Sequence, residues 1–223
     1  MKQTNRRGAV LSWAIALVVP LLLLLTSIRL LMTPVYVDLA YSLPGFPEDP
    51  YGMTFAERRQ YAKVELEYLL NDEDISFLRE QTFTDGTPLH NERELGHMED
   101  VKELGKTLLN VWMLLLALMV GLAVAAPRLG FWEAVRRGLN RGGQLAVGLI
   151  VVALIFIALC FNWLFTAFHA IFFEGDTWLF QFSDSLIRMF PLRFFQDVFI
   201  IIGALTLLGG VGLWALTQEK KKA

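Results

Sequence analysis

Four long apolar runs, separated by polar segments, dominate the pattern of hydrophobic and polar positions along this chain. They cover residues 9–31, 104–126, 145–168 and 198–216. Each run is long enough to cross a bilayer as a helix, which takes roughly 20 residues. The pattern therefore predicts an all-α integral membrane protein with four transmembrane helices.

Two capping signals predict helices within the long polar segment 32–103. Thr54 and Glu57 have the spacing of a capping box, so a helix is expected from there to about Leu70. Asn91, with an acid three positions on, is expected to cap a second helix that continues into the second span. The first helix carries an apolar stripe, expected to pack on the membrane or on another outer loop: Phe55, Ala62, Leu66 and Leu69.

A short turn sequence predicts a β-hairpin between these two helices. Asp85 and Gly86 stand between short mixed runs within residues 75–89. This dipeptide favours the tight turn that joins two antiparallel strands. The segment 32–103 is therefore expected to form a small cap of helices and one β-hairpin.

Lysine and arginine are concentrated in three stretches that four crossings would place on one side of the membrane. Cytoplasmic segments of membrane proteins carry an excess of these residues. Both termini are therefore expected in the cytoplasm, and segments 32–103 and 169–197 outside it. Residues 1–223 would then form a single membrane domain with an extracytoplasmic cap. The basic residues concerned are Lys2, Arg6, Arg7, Arg128, Arg136, Arg137, Arg141, Lys220, Lys221 and Lys222.

The composition adds little beyond the membrane assignment. The chain has 223 residues, 55% of them apolar, a mean hydropathy of +0.47 and a net charge of −2. No basic domain or phosphate-binding glycine loop favours a nucleic-acid partner, and the sequence has no cofactor motif. The single cysteine, Cys160, lies in the third apolar run, where its thiol is expected to be unreactive.

Two histidines are predicted to reach the same membrane boundary on different helices. His97 lies seven residues before Leu104, where the second span begins, a distance of roughly 10 Å along a helix. His169 directly follows the third span. Asp100 is one turn after His97 on the same helical face. Ionisable groups that converge are candidates for chemistry, so this boundary is the predicted functional site.

Other functions for these residues have weaker support. A zinc site could use His90, His97 and His169, but the first two are spaced too widely along the chain to share a metal. Phe165 and His169 fit a pattern of intramembrane prenyl-protein proteases, whose paired glutamates are missing here. A non-catalytic membrane subunit or a small transporter with partner-binding outer loops remains an alternative. Against a transporter, the spans carry no charge near mid-bilayer, since Arg29 is near an end.

Two runs of sequence carry a resemblance to a known family. The first is Glu94-Leu-Gly-His97-Met-Glu-Asp100-Val-Lys102. The second comprises Phe168-His169-Ala-Ile-Phe172-Phe173, Asp176-Thr-Trp178, Asp184-Ser-Leu-Ile187 and Phe190-Pro191. In these runs, and in its four spans with a large first outer segment, the chain resembles the bacterial lipoprotein intramolecular transacylases.

The resemblance implies an acyltransferase of the bacterial plasma membrane with its active site at the outer leaflet surface. Such enzymes act on the diacylglyceryl-modified cysteine at the start of a lipoprotein, in contact with membrane lipids. They move one acyl chain from the glyceryl sn-2 oxygen to the α-amino group of that cysteine, which gives the lyso form. Donor and acceptor belong to one molecule, so no cofactor or metal is expected.

The resemblance places the functional histidines of the family at His97 and His169. Our hypothesis is that His97 is the general base, oriented by Asp100, and that His169 stabilises the oxyanion or protonates the leaving alcohol. The sequence does not order these roles, and they could be exchanged. Asp176 and Asp184 are supporting candidates, expected either to cap the short helix near Ser183 or to anchor the loop.

Overall fold

The protein is described by a computed structural model that covers residues 2–218, with side chains from residue 6 onward. Lys220, Lys221 and Lys222, which contribute to the predicted topology, lie outside the described residues. The described part of the chain contains eight helices. These are α1 (Lys2–Leu31), α2 (Pro34–Ser42), α3 (Phe55–Leu70), α4 (Ser76–Arg79), α5 (Glu92–Ala125), α6 (Trp132–Phe172), α7 (Ser185–Met189) and α8 (Leu192–Thr217).

Four of these helices confirm the prediction of four membrane-spanning elements. By length and composition, α1, α5, α6 and α8 are each able to cross a membrane. The predicted spans overlap these helices, while the exact span limits and the cytoplasmic location of the termini stay predictions. Helix α6 is interrupted at Cys160, whose φ of −136° and ψ of 33° are not helical.

The chain divides into two compact units. The first contains the described parts of Met1–Leu30, Leu109–Ala158 and Ile200–Ala223. The second contains Leu31–Leu108 and Leu159–Phe199. Both predicted histidines, and the helices α2, α3, α4 and α7, belong to the second unit.

In the first unit, glycines allow the long helices to approach closely. A Cβ placed at Gly142 of α6 would lie 2.6 Å from the Cβ of Val19 in α1. A Cβ at Gly143 would lie 2.7 Å from the carbonyl oxygen of Gly210 in α8. Small residues at such crossings bring helix backbones together, which is the main source of packing energy between helices in lipid.

In the second unit, the buried face of α3 is more polar than the sequence indicated. The predicted capping box at Thr54 is present, and α3 ends at Leu70 as expected. The predicted apolar stripe is only partly confirmed: Ala62 is buried and Leu69 packs against the buried core, but Phe55 is 42% exposed. The buried face of α3 consists of Arg58, Tyr61, Ala62, Glu65 and Tyr68.

The side chain of Arg58 is buried, and two of its N–H groups donate to backbone carbonyl oxygens. Its Nε donates to the carbonyl oxygen of Arg188 at 2.6 Å, and its Nη1 donates to that of Pro47 at 2.7 Å. The guanidinium also lies over the ring of Phe46, 5.3 Å from its centroid. Buried cations are tolerated when they are paired in this way.

The predicted β-hairpin is wrong. Ser76–Arg79 forms the short helix α4, and the following segment turns at Gly86, whose N–H donates to the carbonyl oxygen of Phe83. Within the described residues only one isolated antiparallel bridge joins this turn, between Thr82 and Pro88. The runs beside the turn are too short for strands, and Pro88 has no N–H to extend a ladder.

The carboxylate of Asp49 provides a pH-dependent contact in the second unit. It accepts hydrogen bonds from Arg188 Nη2 at 2.9 Å and from the backbone N–H of Met53 at 2.7 Å. Burial opposes ionisation, but the hydrogen bonds from Arg188 and Met53 outweigh it and lower the pKa of Asp49. Stabilisation from a lowered carboxyl pKa is present above the unfolded-state pKa, about 3.9 for Asp, and is lost as the pH falls through the folded-state pKa.

We therefore predict that Asp49→Asn lowers the stability of the detergent-solubilised protein by about 1–3 kcal/mol at pH 7, because it weakens bonds to a charged group. The difference from the wild type should begin to shrink below about pH 4, near the unfolded-state pKa, and continue to fall as the pH drops through the lowered folded-state pKa. Thermal unfolding between pH 3 and pH 7 measures both quantities. Asp72→Asn, at a fully exposed side chain, is the matched control and should change little. A pH-independent deficit in Asp49→Asn would contradict the prediction.

Candidate active site

The structure brings His97 of α5 and His169 of α6 together. The ring centroids are 6.1 Å apart, and the ring planes are inclined by only 21°. His97 is 8% exposed and His169 is 9% exposed. The two imidazoles thus form a closely spaced, buried pair within the second unit, although 71 positions separate them along the chain.

The backbone of α6 fixes the tautomer of His169. Its Nδ1 lies 2.8 Å from the carbonyl oxygen of Phe165, one turn earlier in the helix. A carbonyl oxygen can only accept, so Nδ1 carries a proton and donates it. In the neutral ring the lone pair is then on Nε2. His169 consequently presents Nε2 as a proton acceptor.

The Nδ1 atom of His97 is buried and has no hydrogen-bond partner. Its ring packs against Phe173, at 4.8 Å between centroids, and edge-on against Phe180, at 5.2 Å. A buried polar atom without a partner costs about 1–3 kcal/mol. This cost favours binding of a polar ligand group at His97.

Aromatic rings also enclose His169. The ring of Phe165 lies 4.2 Å from it and that of Trp178 lies 4.9 Å from it, between centroids. Phe173, Trp178 and Phe180 belong to the loop between α6 and α7. Phe173 contacts both histidines, Trp178 contacts His169 and Phe180 contacts His97, so this loop contributes two rings to each histidine. Apolar surroundings disfavour a charged imidazole, and neutral rings can act as proton acceptors or as N–H donors.

The three predicted supporting carboxylates lie outside this pair. Asp100 is exposed, and no hydrogen bond joins it to His97, so the structure does not support the expectation that it orients this ring. Asp176 is also exposed, and its backbone carbonyl accepts a turn hydrogen bond from Leu179. No hydrogen bond to either carboxylate is therefore available to orient the two imidazoles.

Asp184 anchors the loop, which is one of the two roles that the sequence predicted for it. Its Oδ2 accepts from the backbone N–H of Gln181 at 2.8 Å, and its Oδ1 accepts from Asn91 Nδ2 at 3.1 Å. It precedes α7 directly, but its side chain makes no capping hydrogen bond to that helix. The contact with Asn91 ties the end of the loop to the start of α5, three residues before Glu94.

Sequence reasoning missed a buried polar network beside the pair. Ser185 Oγ donates to Glu94 Oε1 at 2.8 Å and also lies 3.0 Å from His90 Nδ1. Because the single hydroxyl proton goes to Glu94, His90 Nδ1 must donate to Ser185. His90 Nε2 lies 2.8 Å from Glu65 Oε1, in a close contact rather than a well-aligned hydrogen bond. No spacing rule links four residues from three separate segments, so no sequence signal could have identified this network.

Glu94 caps α5, as the sequence predicted, and also contacts α7. Its Oε2 accepts from the backbone N–H of Asn91 at 2.8 Å, which completes the predicted cap of α5. Its Oε1 also accepts from the backbone N–H of Leu186 in α7 at 2.8 Å. One carboxylate therefore caps α5 and joins it to α7, one turn before His97.

A zinc site built from the three histidines does not form. His90 is engaged with Ser185 and Glu65, whereas His97 and His169 contact each other. Among the residues that the structure describes, no group of three or more His, Cys, Asp or Glu side chains is placed to hold a metal ion.

Comparison with known proteins gives a consistent result. The model of the family described as Lit, lipoprotein intramolecular transacylase Lit, matches residues 13–195. An uncharacterized protein of Aquifex aeolicus (strain VF5) is 26% identical over 203 residues, 90% of each chain.

The fold is similar to that of a solved membrane protein. The structure of the membrane integral lipoprotein intramolecular transacylase Lit from Bacillus cereus aligns with a TM-score of 0.76 and 20% identity, over 95% of this chain and 94% of that one. A variant of the same protein with one histidine changed to alanine aligns with a TM-score of 0.67 and 18% identity, over 97% and 94%. At this level of identity the likeness shows the fold.

We predict that Glu94→Ala lowers the stability of the protein by about 3 kcal/mol or more, because it leaves several buried donors without an acceptor. Activity should fall with it, because α5 and α7 lose their shared contact beside His97. Thermal unfolding in detergent measures the change. The matched control is Glu99→Ala at an exposed position of the same helix, which should leave the unfolding temperature within error. Equal effects of the two substitutions would show that the network does not stabilise the fold.

Proposed function

The chain belongs to the lipoprotein intramolecular transacylase family Lit, and we propose that His97 and His169 are its catalytic pair. The protein is accordingly a membrane enzyme of the acyltransferase type that acts on lipoproteins. This assignment favours an enzyme over the alternative of a non-catalytic subunit or a small transporter. The single observation that carries the proposal is the contact between the two buried imidazoles.

The proposed substrate is the diacylglyceryl-modified cysteine at the N-terminus of a lipoprotein. Its neutral α-amino group attacks the carbonyl carbon of the sn-2 ester. The carbon–oxygen bond of the ester breaks and an amide carbon–nitrogen bond forms. One proton leaves the nitrogen and one reaches the glyceryl oxygen, so the reaction balances without any other reactant.

In this proposal His169 transfers the proton. Its Nδ1 donates to Phe165, so Nε2 is free to accept a proton from the attacking amine. The resulting imidazolium can return that proton to the leaving glyceryl oxygen. The hydrogen bond to the carbonyl stabilises this cation as it forms. The fixed tautomer thus supports an exchange of the roles that we first expected for the two histidines.

His97 would then stabilise the oxyanion of the tetrahedral intermediate. A neutral imidazole carries one N–H that can donate to a developing negative charge. At 6.1 Å between ring centroids, the two rings can contact different atoms of one small headgroup. Because the rings are held by packing before the substrate binds, orientation can supply several kcal/mol of the barrier reduction.

The proposed location of this reaction is the extracytoplasmic surface of the bacterial plasma membrane. The support is the one-sided distribution of Lys and Arg, which favours cytoplasmic termini. It also includes the predicted position of both histidines beside the ends of the second and third apolar runs, where lipid headgroups would lie. An ester and an amine at this depth could react while the acyl chain stays in contact with membrane lipids.

We predict that His97→Ala and His169→Ala each lower the rate of lyso-lipoprotein formation by at least about 100-fold, because each removes a group that acts on the reacting atoms. Mass spectrometry of a synthetic diacylglyceryl lipopeptide, incubated with the purified protein, measures the rate. Asp100→Asn serves as the matched control beside His97 and should retain the wild-type rate within about threefold. Full activity in either alanine variant would remove that histidine from the mechanism.

A labelled substrate tests which acyl chain moves and whether it stays on one molecule. We predict that a label in the sn-2 acyl chain appears in the N-acyl group, while a label at sn-1 stays on the glyceryl group. In a mixture of two lipopeptides, only one of them labelled at sn-2, the label should not cross to the other peptide. Crossing would contradict intramolecular transfer, and movement of the sn-1 label would contradict the proposed donor.

A further inference from the structure

The indole N–H of Trp178 is a buried donor that the proposed reaction does not yet use. Its Nε1 atom is buried and has no hydrogen-bond partner. Buried tryptophans usually find an acceptor for this group, and an unpaired donor costs about 1–3 kcal/mol. The indole ring lies against His169, 4.9 Å away between centroids. The unpaired donor is therefore part of the histidine site.

We propose that Trp178 donates its indole N–H to the carbonyl oxygen of the sn-2 ester and stabilises the oxyanion that forms there. This inference rests on the proposed function and extends it. A tetrahedral intermediate of acyl transfer is usually held by more than one donor, and His97 supplies only one. The indole keeps its proton throughout, so the proton balance of the reaction is unchanged.

Two polar atoms of the site lack a partner in the protein and are available to hydrogen-bond the substrate. The site contains an unpaired imidazole nitrogen on His97 and an unpaired indole N–H on Trp178. Indole nitrogen is a donor only, so its partner must be an acceptor such as a carbonyl oxygen. An acyl ester supplies this oxygen, which becomes a stronger acceptor as negative charge develops in the transition state.

The choice of tryptophan at this position also supports a polar role. The neighbouring aromatic residues of the loop, including Phe173 and Phe180, are phenylalanines that already pack against His97. An apolar lining needs no N–H group. A phenylalanine at position 178 would also pack against His169, and it would bury no unpaired donor. Packing alone therefore does not account for the indole.

The loop around Trp178 is held by hydrogen bonds that would keep the donor in place. The backbone N–H of Leu179 donates to the carbonyl oxygen of Asp176 at 3.0 Å. Arg93 Nη1 of α5 donates to the carbonyl oxygen of Leu179 at 2.9 Å. Asp184 ties the end of the loop to Asn91. The donor is thus held from α5, the helix that also carries His97.

The decisive variant is Trp178→Phe, which keeps an aromatic ring and removes the donor. We expect kcat to fall about 100-fold, the typical cost of losing one oxyanion donor. KM should change less than threefold, because the hydrogen bond strengthens only in the transition state. The matched control is Trp163→Phe, at an exposed tryptophan of α6 in the same unit, which should retain the wild-type kcat.

A second substitution separates the N–H group from the shape of the ring. 3-Benzothienylalanine at position 178 replaces the N–H by sulfur and keeps a bicyclic ring. It therefore tests the role of the N–H group even if Trp178→Phe fails to fold. It should show the same loss of kcat with an unchanged unfolding temperature. Wild-type kcat in this variant, or a change confined to KM, would overturn the proposal.

A sulfur-substituted substrate links the effect to the carbonyl oxygen. Replacing the sn-2 carbonyl oxygen by sulfur weakens its hydrogen bonds, so the wild type should prefer the oxygen ester. This preference should shrink at least tenfold in Trp178→Phe and persist in Trp163→Phe. An unchanged preference would show that the indole does not contact the carbonyl. If Trp178→Phe and the two histidine variants were all active, the proposed function itself would fail. If the histidine variants were inactive and Trp178→Phe were active, only the role of Trp178 would be excluded.

Discussion

The carboxylate of Glu94 is the contact on which the second unit depends. It accepts three hydrogen bonds, from the backbone of Asn91 and from Ser185 and Leu186 of α7. A buried carboxylate is tolerated only when donors replace the water it has lost. Since His97 follows one turn later on α5, the same pairing that stabilises the cap of this helix also fixes the position of one imidazole.

The second unit contains paired and unpaired buried polar groups side by side. In the network around Glu94, the hydroxyl of Ser185 accepts from His90 and donates to Glu94. Burial raises the pKa of Glu65, which lies beside His90 in the same network. At the site, by contrast, His97 Nδ1 and Trp178 Nε1 have no partner. The far end of the network is also incomplete, since both Glu65 oxygens and His90 Nε2 lack an aligned hydrogen bond. The hydrogen-bonded part around Glu94 makes the fold rigid, and unpaired groups in rigid surroundings are suited to bind a ligand.

The proposed intramolecular acyl shift places modest demands on a protein, and the proposed site would meet them with few groups. The attacking amine and the ester belong to one headgroup, so the protein must orient them, move one proton and stabilise one oxyanion. Aromatic rings around His97 and His169 exclude water, which strengthens the electrostatic interactions inside. His169 differs from His97 in its hydrogen bond to Phe165, and this difference is the basis on which we propose separate proton-transfer and donor roles.

Local pattern was sufficient to predict the long helices and two capped helix starts, but not the short helices α2 and α4. Apolar runs predicted the four long helices, the capping residues Thr54 and Asn91 predicted where α3 and α5 begin, and helix periodicity predicted that His97 and His169 lie close together, as they do. These features depend on residues close in sequence and on burial in lipid. The predicted hairpin failed because a turn signal does not show whether its flanking residues can pair, and here α4 and Pro88 prevent strands.

Only the tertiary structure decided which polar groups meet. The sequence linked Asp100 to His97 through helical spacing, yet Asp100 is exposed and the rings of Phe173 and Phe180 surround the histidine. Likewise, His90, Ser185 and Glu65 come from three separate segments, and no periodicity relates them. A pattern along one helix shows which face a residue occupies, whereas the partner across that face is chosen by the packing of distant segments.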